Sequence, residues 1–227
     1  MKIEIIATTV QEAKVAEANG ADRIELITGI AEGGLTPSYG LIKEVVNAVK
    51  LPVNVMIRPH SYSFSYSEED INTMIEDIQI VRELGANGVV LGTLKEDRTI
   101  DVNSLEKLLP VAGNLDVTFH RAFDEVDDQE EALEIILRYP QINRILTSGG
   151  KANVTEAVDR IKNLVALTVD KPLHILAGSG LTVDNVDDFV SETGVVEIHF
   201  GSGVRMEGKS LRPVDPEKVR EIVRRFQ

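Results

Sequence analysis

Five charged or imidazole side chains stand at or just after the ends of short apolar runs, and together they offer proton transfer and anion binding. His120 titrates near neutrality, and Glu25 serves either as a general base or as a partner that holds Arg58 in place. Arg58 and Arg121 supply planar guanidinium groups that grip a carboxylate or phosphate at two points. Asp124 either orients His120 or pairs with Arg121. These five residues are the catalytic candidates.

Three glycine-rich turns follow the last three apolar runs and supply the candidates for ligand binding. Backbone N–H groups of such turns bind anions when they line the mouth of a barrel. The alternative is that short turns need glycine only for its positive φ. The ligand-binding candidates are Ser148, Gly149, Gly178, Gly180, His199, Gly201 and Ser202.

The elements that must position these residues recur along the whole chain. The apolar, mostly β-branched runs are Ile3–Ile6, Arg23–Leu26, Val53–Ile57, Gly88–Leu91, Leu115–Phe119, Arg144–Thr147, Leu173–Ala177 and Val195–Phe200. Amphipathic stretches lie between them, including Val10–Asn19, Glu68–Leu84 and Val154–Val169, with a last one at Pro216–Phe226. Alternating strands and helices indicate right-handed βαβ units and a parallel sheet. Eight units in 227 residues predict one (β/α)₈ TIM barrel over residues 1–227.

Local signals predict where several helices begin and end. Ser67, Thr182 and Asp215 stand before acidic residues or proline, as N-cap residues do. Gly20 and Gly85 stand where helices stop.

Polar residues occupy alternate positions of the strands, which a period of two places inside the barrel. The polar set is Glu4, Arg23, Glu25, Asn54, Arg58, Asp116, Thr118, His120, Arg144, Ser148, His174, Glu197 and His199. Early in the strands, Arg23, Asp116, Arg144 and Glu197 fit a satisfied ionic core, because buried charges need partners. The polar residues at the strand ends fit a functional site, since active sites of this fold gather there.

Composition narrows the class of partner. Twenty-four Lys and Arg against 37 Asp and Glu give a net charge of −13, which repels nucleic acid and anionic lipid. No run approaches the ~18 apolar residues of a membrane span. Cysteine is absent, which excludes disulfides and thiolate ligands and is typical of the cytoplasm. No histidine and carboxylate spacing marks a metal site. The expected partner is a small anionic molecule.

The loop of residues 61–67 contains three aromatic side chains in a chain that is 4% aromatic. Two roles are open for it: a lid over the barrel mouth, or an apolar contact within a homo-oligomer.

Several motifs, in this order, resemble the CutC family of copper homeostasis proteins. They are Gly20–Leu26, Glu32–Ser38 (EGGLTPS), Ile57–Pro59, Val117–Asp124 (VTFHRAFD), Ile145–Gly149, Ala177–Gly180 and Glu197–His199. The resemblance implies a cytoplasmic, often oligomeric barrel that handles copper through cysteine. The places of those cysteines correspond here to Ile6, Ile27 and Ser65.

The resemblance and the side-chain chemistry lead to two functional hypotheses. The first is copper homeostasis, as the family name implies; Cu(I) prefers thiolate and thioether ligands, and the donors left are methionines such as Met56, Met74 and Met206, and four histidines. The alternative is a metal-independent isomerase, aldolase or lyase that transfers protons on a small anionic metabolite, phosphorylated compounds included. No lysine stands at a strand end to form a Schiff base. Both hypotheses remain open at this stage.

Overall fold

The eight parallel strands close into a barrel in sequence order in this computed structural model, which describes residues 1–227. The strands are β1 (Lys2–Ala7), β2 (Arg23–Leu26), β3 (Val53–Met56), β4 (Gly88–Leu91), β5 (Asp116–Phe119), β6 (Ile142–Thr147), β7 (His174–Ala177) and β8 (Glu197–Phe200). Each strand pairs with the next, and β8 pairs with β1. The predicted (β/α)₈ barrel is therefore confirmed.

Eight α-helices surround the strands. They are α1 (Val10–Ala18), α2 (Tyr39–Ala48), α3 (Glu68–Glu83), α4 (Val102–Ala112), α5 (Gln129–Ile136), α6 (Val158–Thr168), α7 (Val186–Thr193) and α8 (Pro216–Phe226). Ser67 forms a capping box with Asp70 at the start of α3, and Asp215 caps α8 with Pro216 in its first turn. Gly20 follows α1 with φ of +90°, which a side chain would resist. No helix has both the length and the apolar composition needed to cross a membrane.

Two predicted helix boundaries are wrong. Helix α7 begins after Asn185 rather than Thr182, because the Asn185 side chain accepts a hydrogen bond from the Thr182 N–H and closes a turn there. The stretch predicted as one helix from Val154 begins as a 3₁₀ turn over Val154–Ala157, and α6 follows it. Asn153 caps the turn by accepting from the Thr155 N–H.

The main hydrophobic core lies between the strands and the helices. Outward-facing strand residues such as Ile5, Ile24 and Val55 are fully buried there. A separate small cluster of Ile27, Met56 and Val90 lies apart from that core. Ile27 and Met56 also line the cavity described below, so this cluster lies on the inner side of the strands.

The inside of the barrel carries a continuous chain of ion pairs. Register places Glu4 beside both Arg23 and His199, and Arg23 Nε donates to Glu4 at 2.5 Å. Arg23 Nη2 donates to Glu197 at 2.6 Å. Arg144 lies 3.3 Å from Glu197 and donates to Asp116 at 3.0 Å. The predicted ionic core of Arg23, Asp116, Arg144 and Glu197 is thus confirmed.

One polar strand residue differs from the expectation. His174, predicted to lie inside the barrel, is exposed because it is the first residue of β7.

Candidate functional site

A cavity of about 610 Å³ opens where the strands end. Its wall includes all five catalytic candidates, and it also includes His199, Gly180, Gly201 and Ser202. The other ligand-binding candidates, Ser148, Gly149 and Gly178, lie outside that wall. Folding therefore brings together groups from five strands or the loops that follow them, which is the usual location of active sites in this fold.

Glu25 and His199 form the most deeply buried part of the site. Glu25 is 2% exposed, and its Oε1 has no hydrogen-bond partner. His199 Nε2 lies 3.8 Å from Glu25 Oε2. On its other side, His199 Nδ1 bonds to Glu4 Oε1 at 2.7 Å. A carboxylate thus holds the imidazole in place from one side, while its other nitrogen faces Glu25.

Burial and the neighbouring charges shift the pKa values of this group in different directions. Burial, with help from Glu4, raises the pKa of Glu25 to about 7 even though His199 opposes the rise. Burial alone would lower the pKa of His199, but Glu25 and Glu4 outweigh it and raise that pKa. Arg23 and His199 overcome burial at Glu4 and hold its pKa well below its usual range. With a pKa of about 7, Glu25 can gain or lose a proton near neutral pH, and it lies beside an imidazole whose protonated form is favoured by its two glutamate neighbours.

The prediction that His120 titrates near neutrality is wrong. Burial, together with Arg58 and Arg121, lowers its pKa to about 3, so the ring is neutral at physiological pH. Its Nδ1 accepts from the Ala122 N–H at 3.2 Å, which leaves the ring proton on Nε2. Nε2 is buried without a partner. His120 is therefore a neutral hydrogen-bond donor.

One nitrogen of the Arg58 guanidinium is held by hydrogen bonds, and another has no partner. Its Nη1 donates to the carbonyl oxygens of Glu32 and Gly34 at 3.1 and 3.2 Å, whereas Nε has no partner. Glu25 makes no hydrogen bond or ion pair with Arg58, so the suggestion that Glu25 holds this arginine is wrong. Phe64 lies beside it, with the guanidinium carbon 4.5 Å from the ring centroid.

Asp124 joins the loop after β5 to the loop after β6. Its carboxylate accepts from Thr147 Oγ1 at 2.5 Å and from the N–H groups of Ser148 and Gly150, both at 3.0 Å. It also pairs with Arg121 at 2.8 Å. Of its two suggested partners, the structure shows Arg121 and not His120. The Ser148 hydroxyl is part of this network, bonded to Asp124, Arg121 and Lys151 O, and it is fully buried.

The glycine-rich turns have unequal positions. Gly180 and Gly201 line the cavity together with Ser179 and Lys151. Gly178 is packed instead, because an added β-carbon would lie 2.8 Å from Leu146 and 3.0 Å from His199. Gly149 has a φ of +67°, which favours glycine. This glycine therefore fits the alternative explanation, that short turns need glycine for its positive φ.

Sequence reasoning missed three contributions to the site. Glu4 was read as part of the polar interior, and only strand register shows it beside His199. Phe64 was one of three aromatics in a loop, yet it alone is buried, 4.8 Å from the His120 ring. Gly92 lets that ring approach, since a β-carbon there would lie 2.6 Å from His120 Nδ1.

The donor set does not fit a cysteine-type Cu(I) site. Ile6 and Ile27, at two of the places where family members have cysteine, are apolar cavity residues. Met56 is the one thioether in the cavity wall, and it packs with Ile27 and Val90. Glu4, Glu25 and His199 bring two carboxylates and one imidazole within 4.8 Å of one another, but this set lacks the thiolate and thioether ligands that Cu(I) prefers.

Comparisons with known proteins agree on one family. The sequence model described as the CutC family matches residues 1–204. A CutC family protein of Pasteurella multocida is 40% identical over 207 residues, covering 91% of this chain and 84% of the relative. A Streptococcus agalactiae structure, described as a candidate copper homeostasis protein CutC, superimposes with a TM-score of 0.82 at 32% identity. That match covers 88% of this chain and 97% of the other.

More distant structures share the barrel alone. Phosphoribosyl anthranilate isomerase from Thermotoga maritima has a TM-score of 0.65 at 14% identity, over 99% of this chain and 97% of the isomerase. That degree of identity supports the fold and nothing about the reaction.

Proposed function

The chain belongs to the CutC family, and from that premise we propose that it is an acid–base enzyme acting on a small anionic metabolite. The observation that carries the proposal is the environment of Glu25. This carboxyl is buried in the cavity wall, has an unpartnered oxygen, and has a pKa raised to about 7. A general base works best when its pKa lies near the working pH.

The neighbouring groups support one division of labour. Glu25 in its carboxylate form takes a proton from the ligand and returns it, as the carboxylic acid, to another atom of the ligand. The His199 imidazolium, held by Glu4 at 2.7 Å, stabilises the carboxylate form of Glu25. Arg58 and neutral His120 supply N–H donors that bind an anionic group of the ligand and hold it beside Glu25.

Deuterium exchange tests the proposal without knowledge of the product. The protein is incubated in D₂O with a panel of small carboxylated and phosphorylated hydroxy and keto compounds, and loss of C–H signals is followed by NMR. We expect at least one compound to exchange, with a rate that falls at least 100-fold in Glu25→Gln. Glu44→Gln, an exposed change on α2, is the control that keeps the wild-type rate. Absence of exchange across the panel, or equal rates in Glu25→Gln, contradicts the proposal.

Copper handling is the second candidate, favoured by the name of the Streptococcus agalactiae relative. In this chain it would depend on Met56 and cavity histidines such as His120. Cu(I) titration against a competing chelator distinguishes the two, with a Met56→Ala, His120→Ala double variant beside the wild type. Stoichiometric binding that the double variant loses would support copper handling. Binding too weak to compete with the chelator would exclude direct copper handling by this protein.

Location and assembly form part of the same proposal. A chain without cysteine suits a reducing cytoplasm.

Tyr62 is 90% exposed at the barrel mouth, a position suited to a contact between copies of the chain. Sedimentation velocity of the wild type and Tyr62→Ser tests this: self-association that Tyr62→Ser weakens supports the contact, and a wild-type monomer at all concentrations contradicts it.

A further inference from the structure

We propose that Arg58 and His120 form a carboxylate-binding subsite that the Phe64 side chain covers in the free protein. The inference rests on the proposed function and deepens it, because it names the substrate class as small monocarboxylic acids. It also gives the aromatic loop a role in ligand entry.

Two unpartnered donors define the subsite. Arg58 is 7% exposed and its Nε–H has no partner, while its Nη1 is fixed by two backbone carbonyl groups. His120 is 2% exposed, and its Nε2–H likewise has no partner. A buried donor left without an acceptor destabilises the fold, because it has lost its hydrogen bonds to water and gained none. Because folded proteins rarely leave such groups unsatisfied, two in one cavity wall indicate a ligand that supplies acceptors.

The Phe64 ring covers both donors. Its ring centroid lies 4.8 Å from that of His120 and 4.5 Å from the Arg58 guanidinium carbon. The residues just before Phe64 face outward, with Ser63 exposed and Tyr62 90% exposed. The Phe64 carbonyl accepts from the Leu94 N–H at 2.8 Å, so in this proposal the side chain, and not the backbone, moves when a ligand enters. Rotation of this ring uncovers both donors and leaves that bond intact.

The charge of the subsite and the planar edge of its arginine favour a carboxylate over a phosphate. Arg58 contributes the subsite's one positive charge, since His120 is neutral beside it. Arg58 Nε–H and Nη2 lie along one edge of the guanidinium and make no hydrogen bond, and His120 Nε2–H is also free. A carboxylate brings one negative charge and two coplanar oxygens, which match that edge of the arginine. A phosphate dianion brings a second negative charge, which Arg58 alone does not compensate.

Calorimetric titration tests the subsite, with pyruvate and inorganic phosphate as the two probes. We expect pyruvate to bind the wild type at least tenfold more tightly than phosphate. Phe64→Ala is expected to bind pyruvate at least threefold more tightly than the wild type, because no ring has to be displaced. A Phe64 with a purely structural role would leave the affinity equal or lower it.

Variants at Arg58 complete the test. Arg58→Met is expected to bind pyruvate at least tenfold more weakly than the wild type. Arg58→Lys keeps the charge without the Nε–H, so its loss of affinity is expected to be smaller. Arg82→Met, an exposed arginine on α3, is the control and keeps wild-type affinity. Circular dichroism of each variant verifies folding. The inference is overturned if pyruvate fails to bind both wild type and Phe64→Ala, if phosphate binds more tightly than pyruvate, or if Arg58→Met and Arg58→Lys keep wild-type affinity.

The result is separable from that of the proposed function. Pyruvate binding is expected to persist in Glu25→Gln, because the subsite does not include Glu25. Loss of pyruvate binding alongside intact Glu25-dependent deuterium exchange would contradict the subsite alone. Pyruvate binding without exchange of any ligand would contradict the enzymatic proposal alone.

Discussion

At the scale of the residue, identical side chains acquire opposite properties from their surroundings. His120 and His199 both stand at strand ends and both are buried. Burial, together with two arginines, lowers the pKa of His120 and keeps the ring neutral, whereas two glutamates outweigh burial and raise the pKa of His199. The sequence predicted that both lie near the site, but it left their charge states open, because these depend on neighbours brought together only by the barrel's register.

Ionisation of buried Glu25 is expected to lower the free energy of unfolding as the pH rises. Between its ordinary value of 4.5 and about 7, the folded state keeps a proton on Glu25 that the unfolded state releases. The free energy of unfolding therefore falls with rising pH over this range. Relative to the wild type, Glu25→Gln gains stability above pH 7, on the order of 3 kcal/mol. Urea unfolding of both proteins between about pH 5 and pH 8 measures the difference; parallel curves would contradict it.

At the scale of the element, strand periodicity was the most informative part of the sequence. The alternation predicted that Glu25, Arg58 and His120 face the inside of the barrel, and all three line one cavity. Loops were less predictable, since their contacts join segments far apart in the chain. Ser148 illustrates this, because the hydrogen bonds of Asp124 and Lys151 make it part of a loop network and not of the cavity wall.

Removal of the Asp124 carboxylate is expected to release the loop after β6. Asp124→Ala loses the acceptor of Thr147 Oγ1 and of two backbone N–H groups. Trypsin should then cleave after Lys151 at least tenfold faster than in the wild type, as measured by mass spectrometry over time. Asp127→Ala is the matched control, because Asp127 makes one exposed ion pair with Arg98. Equal cleavage rates in the two variants would show that Asp124 does not hold this loop.

At the scale of the whole molecule, the ion pairs inside the barrel are connected to the cavity at the strand ends. The ion-pair chain runs from Asp116 to Glu4, and Glu4 ends on His199 in the cavity wall. Sequence alone predicted that Arg23, Arg144 and Glu197 pair with one another. It did not predict that Glu4 couples this chain to the site, because that contact joins the first strand to the last.

Arg23 is expected to be the most sensitive member of the chain. Arg23→Met leaves the carboxylates of Glu4 and Glu197 without their shared cation, which costs about 3–5 kcal/mol when the groups are buried. Arg160→Met, which breaks an exposed pair with Glu130, should cost less than about 1 kcal/mol. Equilibrium urea unfolding compares the two. A loss at Arg23 no larger than that at Arg160 would show that the interior pairs add little to stability.

The central claim, that Glu25 is a carboxyl poised to exchange a proton near neutrality, is tested most directly by its own titration. Carbon-13 NMR of protein labelled at glutamate carboxyl groups follows every glutamate, and the signal missing from Glu25→Gln identifies the one in question. The structure predicts a midpoint close to 7 for that signal. A midpoint near the ordinary value of 4.5 would contradict the account, because Glu25 would then be a plain carboxylate at neutral pH.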